Sequence, residues 1–292
     1  MIAIIIVNYN GLEDTIECVK SILKSSYSEY RIVIVDNASR DAKKIENITL
    51  LHDHADIILS SDNTGFAGGN NIGIRFAQKR YDPDYYLLLN NDTVVNPEAI
   101  ANLVKAYEKS EKAGITTGTI LYYSHPKLIW AAGGKFDFNT GIADQPELGK
   151  VWDQNKHGIS ETTFSTGCLM LIEKKIIEKV GLLEESYFLY AEDTDYCCRV
   201  LNAGYKIYLE HDAIIYHKVS ASTGKQSKQQ QYYLLRNNLY IIKKYCKFPF
   251  YGYMRRIYRI LKMWKKESYQ FLVLLRAWRD YRKGITGKID NI

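Results

Sequence analysis

The chain has 292 residues, enough to bury a substantial core in one or two domains. Its 46% apolar and 25% charged residues are those of an ordinary globular protein, which excludes a disordered chain and a membrane-embedded bundle. The net charge of +6 divides unevenly, with 17 Lys/Arg against 3 Asp/Glu in residues 225–292 and 22 against 30 in residues 1–224, so the basic tail calls for an anionic partner, lipid headgroup or nucleic acid.

The amino-terminal MIAIIIVNYNG lacks a basic lead and reads as a first strand, not a secretory signal. Its IAIIIVN (2–8) is a continuous apolar run, as a parallel strand covered on both faces should be. Asn10, with Glu13 three positions on, has the pattern of a capping box. The helix it would open shows an apolar face of Leu12, Ile16, Val19, Ile22 and Leu23. The alternation continues through strand RIVIVD (31–36), a short helix from Ser39, strand ADIILS, a helix over 70–80 and strand YYLLLN (85–90). Asn96-Pro97-Glu98 then predicts a helix with Pro at its first position and an acid in its first turn. Repeated β-α units of this kind imply a parallel sheet with helices on both faces.

Regularity fails after about residue 120, and an ordered block resumes over 166–217. From about residue 228 the chain reads as helices rich in Tyr, Lys and Arg. The five cysteines (18, 168, 197, 198, 246) show no CxxC spacing, which predicts neither a disulfide framework nor a zinc site and favours a reducing compartment. No apolar run approaches the roughly 18 residues that span a bilayer.

Ligands of open α/β sheets bind beyond the carboxyl ends of the strands. Three strands end there in polar groups: VNYNG (7–11), VDNAS (35–39) and LNNDT (89–93). Each alone is ordinary turn chemistry; three at successive strand ends converge on one crevice. Between them NTGFAGGNNIG (63–73) offers glycines ahead of a helix, where a ligand can approach the backbone and phosphate is favoured. It is not GxGxxG, and no Walker lysine follows.

The stretch YFLYAEDTDYCCRV (187–200) sets Glu192, Asp193 and Asp195 in apolar company, where carboxylates are costly unless paired or used. If 192–202 is helical, Asp195 and Arg199 pair at i and i+4. Glu192 then reaches the same arginine or the helix's free N–H groups. Asp193, turned about 100° from Glu192, is left over. The helix dipole favours its ionised form, as a general base requires.

Taken in order, IIIVNYNG, VDNAS, NTGFAGGNNIG, LLLNNDTVV, STGCLMLI and FLYAEDTDYCCRV, followed by HKVSAS and RNNLYIIKKY, resemble the inverting family-2 glycosyltransferases, nearest their bacterial rhamnosyltransferase-like branch. The resemblance implies a GT-A fold, an α/β mixed sheet flanked by helices. Residues 1–224 would be the catalytic domain, nucleotide-binding to about 120 and acceptor-binding beyond, and 225–292 a basic helical extension. It implies that Asp36 accepts a hydrogen bond from a uracil or thymine ring bordered by Asn8 and Tyr9, with Gly65 and Asn70 nearby. Asn91 would also touch the donor, Asp92 and His217 would hold a divalent metal (Mg²⁺ or Mn²⁺), and Asp193 would be the catalytic base. Glu192, Asp195 and Arg199 would support it.

One departure matters: where the family motif is often D-x-D, this chain has Asn90-Asn91-Asp92. A hard cation is then offered one carboxylate, the donor's phosphate oxygens and an imidazole. The resemblance further implies a nucleoside-diphosphate sugar donor, dTDP- or UDP-linked with rhamnose first, and a lipid-linked glycan acceptor.

The tail interleaves Leu261, Trp264 and the 269–275 segment with Arg255, Arg256, Arg259, Lys262, Lys265 and Lys266. That is the composition of a helix lying in a membrane interface, where basic residues add about 1 kcal/mol each near anionic lipid. The expectation is a cytoplasmic protein at the inner face of the plasma membrane, without nucleic acid. Two other classes compete. A nucleotidyltransferase needs a basic triphosphate loop, which residues 8–15 lack. A non-enzymatic glycan- or nucleic-acid-binding protein leaves Asp36, Asp92 and Asp193 without a purpose.

Overall fold

The computed structural model describes residues 1–219, 227–267 and 270–290, without the side chains of Glu46 and of 263–267. The amino-terminal part alternates β1 (Ile2–Asn8), α1 (Leu12–Ile22), β2 (Tyr30–Asp36), α2 (Ala42–Glu46), α3 (Thr49–His54), β3 (Ala55–Leu59) and α4 (Gly65–Tyr81). Next come β4 (Tyr85–Asn90), β5 (Thr93–Val95), α5 (Ala99–Lys109), β6 (Ala113–Tyr122), β7 (Ile129–Ala132), β8 (Lys135–Asp137) and β9 (Ile142–Asp144). Then follow β10 (Ile159–Thr162), β11 (Leu169–Glu173), α6 (Lys174–Val180), α7 (Glu192–Asn202) and β12 (Lys206–His217). Helices α8 (Lys228–Tyr245), α9 (Pro249–Glu267) and α10 (Phe271–Arg282) complete the order.

One mixed sheet runs β10-β12-β6-β11-β4-β1-β2-β3, with β5 paired to β12 and β7 to β6. Strands β4, β1, β2 and β3 are parallel, as their β-α rhythm predicts, whereas β11 is antiparallel to both its neighbours. The period-two alternation of β1 explains why its whole run is apolar. Ile2, Ile4 and Ile6 enter one core with Cys18, Val19 and Ile22 of α1. Ala3 and Ile5 enter the other with Ala67, Ile74 and Ala77 of α4. Each fully buried Ile contributes about 1.5–3 kcal/mol. Both faces are thus covered, and the polar strand ends are the part of the sheet left for a ligand.

Three helix starts differ from the sequence-based expectation. Asn10 does not cap α1; it sits at φ +57° and accepts a bond from the Arg40 amide at 2.9 Å. Asn8 Oδ1 instead takes the Gly11 amide at 3.1 Å and the Thr15 hydroxyl at 3.0 Å. Helix α5 begins at Ala99, because Asn96 accepts the Glu98 amide at 3.1 Å and turns the chain before Pro97 can start a helix. Helix α4 begins at Gly65, so most of the glycine-rich stretch is helix, not loop. A Cβ at Gly69 would lie 2.7 Å from Val7 Cγ1, so this glycine serves close helix–sheet packing rather than a ligand.

The carboxy-terminal helices are joined to the sheet domain. Helix α8 lies on α7, and α10 packs on α8 with Leu235, Leu239, Val273, Leu274 and Ala277 between them. The α8–α9 turn is pinned to the β8–β9 hairpin by Lys247 N–H to Phe138 O at 2.7 Å. Exposed apolar side chains remain on α9 and α10, among them Phe250 (79%) and Leu272 (77%). Among the described residues no helix is long and apolar enough to cross a membrane. Residues 220–222 of the HKVSAS motif and the side chains of Trp264, Lys265, Lys266 and Tyr269 lie outside the described residues.

Candidate active site

The carboxyl ends of β1, β2 and β4 open on a cleft of about 1170 Å³. Of the residues singled out by sequence, Tyr9, Gly65, Asn70, Asn91, Asp92, Glu192, Asp193 and His217 line it. Asn8, Asp36, Asp195 and Arg199 are not on its wall, and each has a bonded position behind it.

Asn8 and Asp36 form part of a polar network beneath the cleft. Asn8 Nδ2 donates to Asp36 Oδ2 at 2.6 Å and to Ser39 Oγ at 3.2 Å, while Asp36 Oδ1 accepts the Ser39 amide at 2.9 Å. Asn91 extends the network, donating to Thr15 Oγ1 at 3.0 Å and to Gly11 O at 3.2 Å. Three strand ends are thus tied together, and each Asp36 oxygen accepts one bond with further lone pairs left. The neighbouring Asn37, part of VDNAS but assigned no role by sequence, shapes the start of α4. It donates to Gly65 O at 3.0 Å and accepts the Thr64 amide at 3.0 Å. Asn70 donates to Phe66 O at 2.9 Å.

Asp92 and His217 meet through sheet register. Strand β5 begins one residue after Asp92 and pairs Thr93 with His217 at the end of β12. His217 Nε2 therefore lies 3.0 Å from Asp92 Oδ1. Trp130 meets the imidazole edge-on at 4.3 Å, and His217 Nδ1 is buried with no hydrogen-bond partner. The donor set of one carboxylate oxygen and one imidazole nitrogen suits Mn²⁺ or Mg²⁺. Ligands at adjacent positions around an ion about 2.1 Å away are about 3.0 Å apart, the separation found here. Among the described residues no three His, Cys, Asp or Glu side chains form a metal cluster, so a cation here would need further oxygens from a ligand.

Asp193 sits in the first turn of α7. Its carboxylate accepts the Thr194 amide at 2.6 Å, the Thr194 hydroxyl at 3.2 Å and the Gly167 amide at 3.3 Å. Burial raises its pKa above the ordinary aspartate value, and these hydrogen bonds hold the rise back. The Thr194 amide is one of the free N–H groups at the amino terminus of α7, so the expected help from the helix end is one part of this balance. Glu192 is pushed well above the usual range by burial and by the charge of Asp193, and its Oε2 has no hydrogen-bond partner. It does not meet Arg199, as sequence allowed; the guanidinium is occupied by Asp195 at 2.8 Å and by the carbonyls of Val180 and Leu182.

The i, i+4 pair of Asp195 and Arg199 is present, and Asp195 is wholly buried. It also accepts Lys244 Nζ and Tyr245 OH from α8, both at 2.7 Å. Burial opposes its ionisation, but the bonds from Lys244 and Tyr245 and the charge of Arg199 prevail and lower its pKa. Sequence gave Lys244 and Tyr245 no role, because the partner lies some fifty residues away.

A sheet of this order with a donor-type cleft at its strand ends defines a GT-A glycosyltransferase fold. The model of glycosyl transferase family 2 matches residues 3–181, and the chain belongs to that family. It is 29% identical over 199 residues to the low-salt glycan biosynthesis hexosyltransferase Agl10 of Haloferax volcanii, covering 68% of this chain and 61% of that relative's length. It is 26% identical over 215 residues to the rhamnosyltransferase WbbL of Escherichia coli strain K12, covering 71% and 80%. The fold is similar to that of GalNAc-T7 solved with UDP, GalNAc and Mn²⁺. There the TM-score is 0.70 at 17% identity, over 98% of this chain and 58% of that one.

Proposed function

We propose that this glycosyltransferase moves a sugar, rhamnose first, from a dTDP- or UDP-linked donor to a glycan acceptor with inversion, in cell-surface polysaccharide synthesis. The observation that carries the reading is that Asp193 and the Asp92–His217 pair line one cleft. The acceptor hydroxyl attacks the anomeric carbon as the nucleoside diphosphate departs, and Asp193 takes the hydroxyl proton. A divalent ion held by Asp92, His217 and the donor's phosphate oxygens would neutralise the charge growing on the leaving diphosphate. Tyr9 and Asn91 border the base and ribose end, with the Asn8–Asp36 pair beneath them, and the cleft walls hold both substrates in line. The division proposed is a catalytic domain over 1–224, donor half to about 120, and an extension over 225–292.

Incubation with a panel of dTDP- and UDP-sugars and Mn²⁺, reading release of nucleoside diphosphate, tests the reaction. Release from none of them would overturn it. For the base pocket, Asp36→Ala should weaken dTDP or UDP binding about 10-fold or more, the loss expected for a charge-assisted hydrogen bond. Calorimetry showing unchanged affinity would remove Asp36 from the donor site.

The acceptor is proposed to be lipid-linked and reached at the cytoplasmic face of the membrane. Support comes from the exposed stripe of Phe250, Tyr251, Met254, Ile257 and Leu261 on α9, beside Arg255, Arg259 and Lys262. At 100° per residue these apolar positions fall within an arc of about 120°, as an interfacial helix requires. Replacing Phe250, Ile257 and Leu261 by Ser in the full chain should abolish co-sedimentation with anionic vesicles while the fold persists, since all three are exposed. Undiminished co-sedimentation would refute the contact.

A further inference from the structure

Helix α7 is entered through a backbone that few sequences tolerate. Phe188, Tyr190 and Ala191 have φ of +66°, +65° and +75°, three side-chain-bearing residues at positive φ within four positions, with Phe188 at ψ −62° in a γ-turn closed by the Leu189 amide on Tyr187 O. Such a segment persists only where its surroundings over-determine it. Asp193 follows two residues later.

Every carbonyl from Ser186 to Ala191 has a partner, and the partners show what holds the segment. Ser186 O accepts the Gly287 amide at 2.6 Å, and Phe188 O accepts the Phe66 amide of α4 at 2.9 Å. Ala191 O closes the first turn of α7 with the Asp195 amide at 2.8 Å. Tyr187 O accepts the Leu189 amide at 2.9 Å, and two side chains of α8 reach it together with the carbonyls of Leu189 and Tyr190. Asn237 Nδ2 lies 2.9, 2.7 and 2.8 Å from the carbonyls of Tyr187, Leu189 and Tyr190. Arg236 Nη2 donates to Tyr187 O at 3.0 Å, its Nη1 to Gly287 O at 2.8 Å, and its Nε orients Asn237 through Oδ1 at 2.9 Å.

Arg236 is completely buried, with its guanidinium 4.8 Å from the ring centre of Tyr233 and 5.4 Å from that of Tyr232. An interior cation is costly, and simple helix packing would be better served by an apolar side chain. Here the charge meets one carbonyl of the segment that precedes Asp193, one carbonyl beyond α10 and the asparagine that gathers the rest of the segment.

We propose that Arg236 and Asn237 are positioning residues that lock the strained 187–191 segment and thereby aim Asp193 into the cleft. The inference rests on Asp193 as the base. It makes the carboxy-terminal helices part of the catalytic apparatus, whatever surface they also touch. The donor side meets the segment at Phe188 O, and Gly65 has further anchors in Asn37 and Asn63, so donor binding should change less than turnover.

The test compares wild type, Asn237→Ala, Asn237→Asp, Arg236→Lys and Asp193→Asn, each as the full chain. Hydrogen exchange should show residues 187–196 losing protection at least about 10-fold in Asn237→Ala, with β1, β4 and β12 unchanged. On the panel sugar that wild type turns over, kcat should fall about 10- to 100-fold with donor KM within about twofold. Asn237→Asp, which turns a carboxylate toward carbonyl oxygens, should be the more damaged, and Arg236→Lys should retain more activity than either. Unchanged protection of 187–196 in Asn237→Ala and Asn237→Asp would overturn the proposal. So would lost protection with unaltered kcat, or a loss confined to KM. Full turnover in Asp193→Asn would refute the base assignment instead, which the exchange measurement does not depend on.

Discussion

Asp193→Asn should lower turnover by two to four orders of magnitude while leaving nucleoside diphosphate affinity unchanged. The size is the loss expected when a general base is removed, about 10²- to 10⁴-fold. The substitution keeps shape and the cap-like acceptor Oδ1, so the bond from the Thr194 amide survives, while Oδ2, which accepts the Gly167 amide and would accept the proton, is replaced by a donor. The environment sorts the adjacent pair of acids. Burial pushes both upward, but three donors reach the Asp193 carboxylate and favour its ionised form, while Glu192 Oε2 has no hydrogen-bond partner.

The sign of the pH dependence follows. The raised pKa of Asp193 places its protonation above the ordinary aspartate value of 3.8, so turnover should fall as pH drops through that higher value. The acid limb of kcat should disappear in the asparagine variant. Glu192→Gln, which imitates a neutral glutamate, should keep most of the turnover. Near-wild-type rates in Asp193→Asn, measured as nucleotide release, would end the assignment.

Local features of the site were legible in sequence because they rest on short-range periodicity. The apolar run of β1, the polar ends of β1, β2 and β4, and the Asp195–Arg199 pair follow from alternation and from helix spacing. The missed features depend on contacts between distant segments. Nothing in Asn91-Asp92-Thr93 says that Thr93 will pair with His217, yet that register brings the histidine to Asp92. The family resemblance supplied that pairing; periodicity did not.

The glycines of 63–73 show the opposite error. Read as a ligand loop, they divide by role once α4 is seen. Gly65 is needed at φ +74°, where a Cβ would lie 2.1 Å from Phe188 O, and Gly69 is needed for contact with Val7. The RNN stretch at 236–238 is part of the resemblance, but its Arg236 and Asn237 donate to carbonyls of Tyr187, Leu189 and Tyr190. Backbone acceptors have no signature in a sequence, so such a lock can be found only after folding.

Asp92→Ala should remove metal-dependent turnover, by at least about two orders of magnitude. A cation meeting a departing diphosphate is worth several kcal/mol, and each 1.36 kcal/mol is about tenfold in rate. The chain offers only the Asp92 carboxylate beside one imidazole, with no further cluster among the described residues. Loss of the single carboxylate therefore leaves His217 alone, too weak to hold a hard ion without help. The same sparse donor set predicts that Mn²⁺ binds weakly to the free enzyme and far more tightly once a nucleoside diphosphate is present. Mn²⁺ titration followed by electron paramagnetic resonance, with and without dTDP, reads this directly and needs no turnover. His217→Ala should weaken the ternary binding less than Asp92→Ala, because a neutral ligand is lost instead of a charge. Undiminished activity in EDTA, or equal Mn²⁺ affinity in Asp92→Ala and wild type, would remove the metal from this site. The leaving diphosphate would then have to be met by the cationic side chains of α9, where Arg255 and Lys262 line the same cleft.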